Sequence, residues 1–262
     1  MRTPQRWSVA VRRHDGSVHT ESHSVQPSAL TRLPFLRGPV ALVDATRVAL
    51  DAIGVALKVT TGQLAERRQL AVTFVPVGVG FLVLFVAGPG MAVGGAGIRG
   101  TAAAAAEAAV RLGMFFVYLA LISRSRGAVQ LFRYHGAEHK VIAAFERSQT
   151  LPALDEARRF SPVHNRCGTN FASLFVVVAG FVYAPVTRSP LFAGALLRVV
   201  LVPVVGALAY EVMRLAAREH DRLWSRVVVW PGRAAQRITT REPDDAELEV
   251  ARAALGELLP RP

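Results

Sequence analysis

The sequence predicts a mainly α-helical, polytopic membrane protein with about four transmembrane helices, an N-terminal β-hairpin and cytoplasmic amphipathic helices. Three observations carry that expectation. The 262 residues are 52% hydrophobic yet bear a net charge of +12, a combination foreign to soluble domains. The apolar residues gather into windows long enough to cross a hydrocarbon core of roughly 30 Å. The basic residues gather between those windows, and unevenly.

The windows run Leu70 to Gly88, Thr101 to Ser123, Gly168 to Val186 and Leu191 to Met213. The first and third are apolar all round, as lipid-facing or buried helices are. The second carries Glu107 and Arg111, and the fourth Arg198 and Glu211. Ten Lys or Arg precede the first window and eight lie between the second and third; nine follow the fourth. The remaining two intervals hold Arg99 and Arg188 alone. Positive charge stays on the cytoplasmic side during insertion, so both termini and the 123–167 segment are expected to face the cytoplasm of an inner membrane. The same distribution makes anionic headgroups the expected partners, at about 1 kcal/mol per residue near the surface. DNA is not expected; ribosomal RNA or a protein partner has no motif behind it. No apolar signal-peptide core precedes Leu70, and the single Cys167 excludes an intramolecular disulfide.

The chain divides accordingly into a hairpin segment (1–37), an amphipathic helix (38–69), two crossings (70–123), a cytoplasmic loop (124–167), two more crossings (168–213) and a cytoplasmic tail with one capped helix (214–262). Alternating residues flank Asp15-Gly16 in WSVAVRRHDGSVHTESHSV, a hairpin signal because both central residues of a two-residue turn need positive φ. From Gly38 to Thr60, Val40, Val43, Val48, Ile53 and Val55 recur at helical spacing among Asp44, Arg47, Asp51 and Lys58. That pattern fits a helix lying on the membrane and equally one packed on protein. Near the C-terminus Thr240 and Pro243 precede Asp244, Asp245 and Glu247, the composition of a capped helix start.

The chemistry gathers in the 124–167 loop. His135 and His139 are four apart, so on a helix they share a face and can share a metal ion. With Glu138 they spell H-x-x-E-H, the reversed zinc-peptidase order, in which the histidines hold zinc and the glutamate acts as general base. In isolation this is a polar helix as readily as a site. The string HNRCGTNF adds His164 and Cys167, three apart at the edge of the next window, and imidazole and thiolate are preferred zinc ligands. Glu211, about 30 Å along its window at 1.5 Å per residue, returns to the same face and is a further candidate ligand. Glu146 and His220-Asp221 rank behind it. Glu107 and Arg111 are spaced to pair on one helix, with Arg198 at similar depth; they read as a neutralised cluster locking helices rather than a polar path. AVGGAG at 92–97 lacks the Lys-Ser/Thr of a phosphate loop.

RYHGAEHK, followed by HNRCGTNF, with PFLRG upstream and ITTREPDDAELEVA downstream, resembles the YqhQ-like family of bacterial membrane proteins over essentially the whole chain. That resemblance implies a domain of unknown function carrying the label of metal-dependent enzyme. Family members open on a segment like GGQAVIEGVMMR, whereas this sequence opens MRTPQRWSVAVRR; either the start was chosen too late or this member lacks that strand, in which case the hairpin loses an edge partner. The expected function is a zinc-type, hydrolytic enzyme at the cytoplasmic membrane surface. His135 and His139, with His164 or Cys167, would be ligands and Glu138 the base. The alternatives are a non-catalytic scaffold or assembly factor, with a structural metal if all four ligands close the shell or with a hydrogen-bonded His/Glu/Cys cluster, and a transporter.

Overall fold

A computed structural model describes residues 1–26, 28–62, 67–98, 100–164, 167–188, 191–219 and 222–260. The hairpin forms from β1 (Arg6–Arg12) and β2 (Val18–Ser24), antiparallel, with Arg6 opposite Ser24 and Arg12 opposite Val18. Its turn is longer than the expected two residues. Arg13 N–H donates to Ser17 O at 2.8 Å, and only Gly16 takes a positive φ, 85°. The Asp15 carboxylate instead accepts from the Ser17 N–H and hydroxyl at 2.9 and 2.6 Å, and this side-chain turn closes the loop without a left-handed aspartate.

Helix α1 (Arg37–Thr61) ends at Gly62 in the left-handed region, φ 72°. It packs on α9 (Val202–Arg218), and a Cβ at Gly38 would sit 2.8 Å from Tyr210 Cβ, so the crossing depends on glycine there. Two helices are long and apolar enough to cross a membrane. One is Arg68–Gly95, the other α4 (Gly100–Ile122). The first joins α2 (Arg67–Leu82), a π-helical turn (Val83–Ala87) and α3 (Gly88–Gly95).

The other two windows depart from the expectation of straight crossings. Helix α7 (Gly168–Val182) is apolar but has 15 residues, about 22 Å at 1.5 Å per residue. It gives way to a 3-10 stretch at Ala184–Arg188 because Pro185 has no N–H to continue the ladder. Helix α8 (Leu191–Val200) and α9 meet at Leu201 with a 46° bend, where Pro203 occupies the first turn of α9. Among the described residues two helices are therefore long and apolar enough to cross a membrane, or three if the bent pair counts as one.

Between these helices the anticipated polar cluster forms. Glu107 accepts from Arg111 Nη2 at 2.6 Å and from Arg198 Nη2 at 2.8 Å. Arg111 Nε also donates to Phe85 O, in the π-helical turn, at 3.0 Å. All three charged side chains are buried.

The remaining helices are α5 (Arg126–Ser148), α6 (Leu154–Arg158), α10 (Leu223–Thr239) and α11 (Asp245–Gly256). Ala137, Val141 and Ala144 of α5 pack with Ala157 of α6 and with Leu248, Ala251 and Leu255 of α11 in one buried cluster. The capped C-terminal helix is as anticipated. Asp244 caps α11, and Glu247 accepts from the Asp244 N–H at 2.8 Å, completing a capping box. The hairpin lies against α11, with Ser8 Oγ donating to Ala254 O at 2.6 Å. Helix α10 lay within the tail assigned only one helix; it packs along α7.

Candidate metal centre

The alanine face of α5 buried against α11 fixes the rotation of that helix. His135 and His139, one turn apart, consequently point together, with ring centroids 4.4 Å apart. Gly136 between them permits a close approach. A Cβ there would fall within contact distance of the Arg241 carbonyl oxygen, and with glycine the strand of chain leaving α10 passes directly over α5. Arg241 N–H donates to Phe132 O at 2.9 Å, which brings Thr239 O within 2.8 Å of His135 Nδ1. On the other side His139 Nδ1 lies 2.5 Å from Pro162 O.

Both carbonyls can only accept, so each Nδ1 carries the proton and each Nε2 is left to face the third member. That member is Cys167, the N-cap of α7, whose Sγ accepts from Thr169 N–H at 3.3 Å and lies 3.2 Å from His135 Nε2. One ligand atom from each of His135, His139 and Cys167 lies within 4.8 Å of the others. His139 is 5% exposed and Cys167 4%, so the group is sheltered from bulk water. The three residues thus form a group that can hold a metal ion, and the carbonyl on each remaining ring nitrogen matches how metal-ligating histidines are oriented.

Burial pushes the Cys167 thiol up, but hydrogen bonds from His135 and His139 outweigh it and bring it down to about 5. Burial likewise works against charge on His135, yet its hydrogen bond to Cys167 raises it above the usual imidazole range. A thiol brought down to about 5 is a thiolate at neutral pH, and the thiolate is the form that binds metal.

The other anticipated site residues sit around or away from this group. His164 is next to it, its ring centroid 5.7 Å from that of His139, but its Nε2 lies 3.2 Å from Glu146 Oε2 and it falls outside the set of three. Glu146, ranked as a possible ligand, thereby meets the cluster through His164. Glu138 is half-buried and close enough for its charge to act on His135. Glu211 does not join. It accepts from Arg37 Nε at 2.6 Å, from Arg37 Nη2, and from Phe35 N–H at 3.2 Å. In doing so it anchors the PFLRG turn, where Phe35 adopts φ 65°. An arginine on α1 claims it instead. His220-Asp221, and Asn165 and Arg166 of the HNRC string, lie outside the described residues.

Two supporting residues escaped the sequence reading. Gln236, fully buried, accepts from His164 N–H at 2.8 Å and donates to His164 O at 2.9 Å and Asn170 Oδ1 at 2.8 Å. It therefore ties the His164 backbone to α7 and α10. Lys140 is 3% exposed, donates to Arg158 O at 2.9 Å and pairs with Glu242, holding α5 to the chain ahead of α11. The only sequence signal for either was a polar residue within a helical apolar pattern.

The chain is 29% identical over 281 aligned positions to the uncharacterized protein YqhQ of Bacillus subtilis (strain 168), covering 96% of this chain and 86% of that one. No solved structure matches it. The family model described as "Protein of unknown function (DUF1385)" matches residues 33–261, and the chain belongs to that family.

Proposed function

We propose that this protein is a zinc-type, metal-dependent hydrolase of the inner membrane, working at the cytoplasmic face. The observation that carries the reading is the convergence of one ligand atom from each of His135, His139 and Cys167 within 4.8 Å. Three protein ligands leave a coordination position for substrate, as catalytic zinc sites do, whereas structural sites close with four. His164, paired with Glu146, supports the open count. A zinc-type ion held there supplies Lewis acidity toward a carbonyl or phosphoryl oxygen. Glu138, adjacent in the H-x-x-E-H order, takes up the proton of the attacking water. Cys167 and the two imidazoles position the ion, and the carbonyls of Thr239 and Pro162 hold the imidazoles in one tautomer.

In this reading α7 and the bent α8–α9 pair are the third and fourth crossings. The termini and the metal centre face the cytoplasm, and α1 and α10 lie along anionic headgroups. The alternation of basic residues supports that orientation. A scaffold with a structural metal is the competing reading, favoured by the low exposure of His139 and Cys167.

Two measurements on the full-length protein test the proposal. Metal analysis of purified wild type beside His139→Ala should find an ion in the first and not the second. Glu138→Gln should retain the metal and fail to complement a null strain. Full complementation by Glu138→Gln would leave the scaffold reading standing and remove the hydrolase.

A further inference from the structure

A cavity of about 870 Å³ opens beside the metal centre, with His164 in its wall. One face of α10 forms another part of the wall. Arg226, Trp230, Arg233 and Arg237 line it, at i, i+4, i+7 and i+11, so helical spacing places all four on one side. Among the described residues none of these three guanidiniums makes an ion pair or a side-chain hydrogen bond, whereas Arg12, Arg37, Arg111, Arg133, Arg158 and Arg198 all pair with carboxylates. The carboxylate in the lining is Glu146, which already meets His164. The wall thus carries three cations against one engaged anion.

Unpaired arginines on one face are the usual recognition element for phosphate, whose oxygens match the guanidinium fork. The cavity is larger than one phosphate requires and falls in the range of organic-ligand sites. Next to the arginines, α10 turns Leu223, Val227 and Trp230 outward, 78%, 71% and 67% exposed. An apolar stripe with a tryptophan beside a cationic face marks a helix at a lipid–water boundary. A ligand suited to both surfaces has a phosphate head and an acyl tail.

We propose that this cavity seats the headgroup of an anionic phospholipid, which is the substrate class of the metal centre. The word substrate rests on the hydrolase reading; the seat itself does not. The headgroup phosphate lies on Arg226, Arg233 and Arg237, the acyl chains run out past Trp230, and His164 separates the seat from His139.

The test is titration calorimetry of the full-length protein in neutral detergent with dihexanoyl phosphatidic acid, dihexanoyl phosphatidylcholine and inorganic phosphate. Saturable binding of the phosphatidic acid is expected, with the other two probes weaker by about ten-fold or more. Arg233→Gln/Arg237→Gln, and independently Arg226→Gln, should weaken it similarly at unchanged melting temperature. Arg126→Gln, exposed at the start of α5 and outside the cavity, should not. Equal binding of phosphatidylcholine would overturn the proposal, as would inorganic phosphate binding as tightly as the lipid, or unaltered binding by the cavity variants. Metal content measured on the same samples separates the two claims. Lipid binding by protein purified without metal removes the hydrolase and keeps the seat; metal-loaded protein indifferent to phosphatidic acid removes the seat alone.

Discussion

Replacing Gly136 with alanine sets two effects of opposite sign against each other. Gly136 sits inside α5, where helix propensity alone makes Gly→Ala stabilising by about 1 kcal/mol. The close approach works the other way. The new methyl would meet the Arg241 carbonyl, which is backbone and cannot swing aside as a long side chain would. Forcing the segments apart costs about 1–3 kcal/mol as overpacking. It also strains the Arg241 N–H to Phe132 O bond at 2.9 Å and the His135 Nδ1 contact with Thr239 O at 2.8 Å, each worth about 0.5–1.5 kcal/mol net. The packing and hydrogen-bond costs together exceed the propensity gain, and the net expected loss is about 1–5 kcal/mol. Losing the carbonyl that orients His135 should further weaken metal binding about 10- to 100-fold. Thermal unfolding in detergent, followed by zinc competition with a chromophoric chelator, reads both quantities. A Gly136→Ala protein that melts higher than wild type and holds metal equally would refute the close approach and the orienting role given to Thr239.

Three further outcomes follow from the same geometry. Glu107→Gln leaves Arg111 and Arg198 buried with their shared carboxylate gone, and should cost about 3–5 kcal/mol, seen as a lowered melting temperature and poor membrane accumulation. Chelation should lower the wild-type melting temperature, since an ion at a hundred times its Kd stabilises by about 2.7 kcal/mol; His139→Ala should show no such shift. In metal-free protein the Cys167 thiol lies below its unfolded value, at about 5, so its contribution is present above the unfolded range and is lost as pH falls through the folded value. His135 is shifted upward and contributes in the opposite sense, fading as pH rises. Metal-free wild type should therefore lose stability on acidification toward pH 5, and Cys167→Ser should not show that loss.

What was legible beforehand rested on short-range spacing. The strands on either side of Asp15-Gly16, the acidic start of α11, and the i, i+4 pair His135 and His139 all follow from residues within a few positions of one another. The companion role of Cys167 followed from its place at a window edge. Long-range partners were invisible. Arg37 reaches Glu211 across 174 positions, and Thr239 reaches His135 across 104, separations on which periodicity is silent. Pro231-Gly232 is a pair that ordinarily interrupts helices, yet α10 runs through both, and Gly232 lets it lie against Asn170, where any Cβ would collide. Pro185 and Pro203 acted in the other sense, shortening one anticipated crossing and bending another, although the apolar run continued past them.

X-ray absorption at the zinc edge of the purified full-length protein bears most directly on the three-ligand centre. The expected spectrum contains one sulfur at about 2.3 Å and two imidazoles at about 2.0 Å, with one further light-atom donor that changes when a small anion is added. A sulfur with three imidazoles and no anion response would place His164 in a closed structural shell, and a protein that retains no zinc would remove the centre altogether.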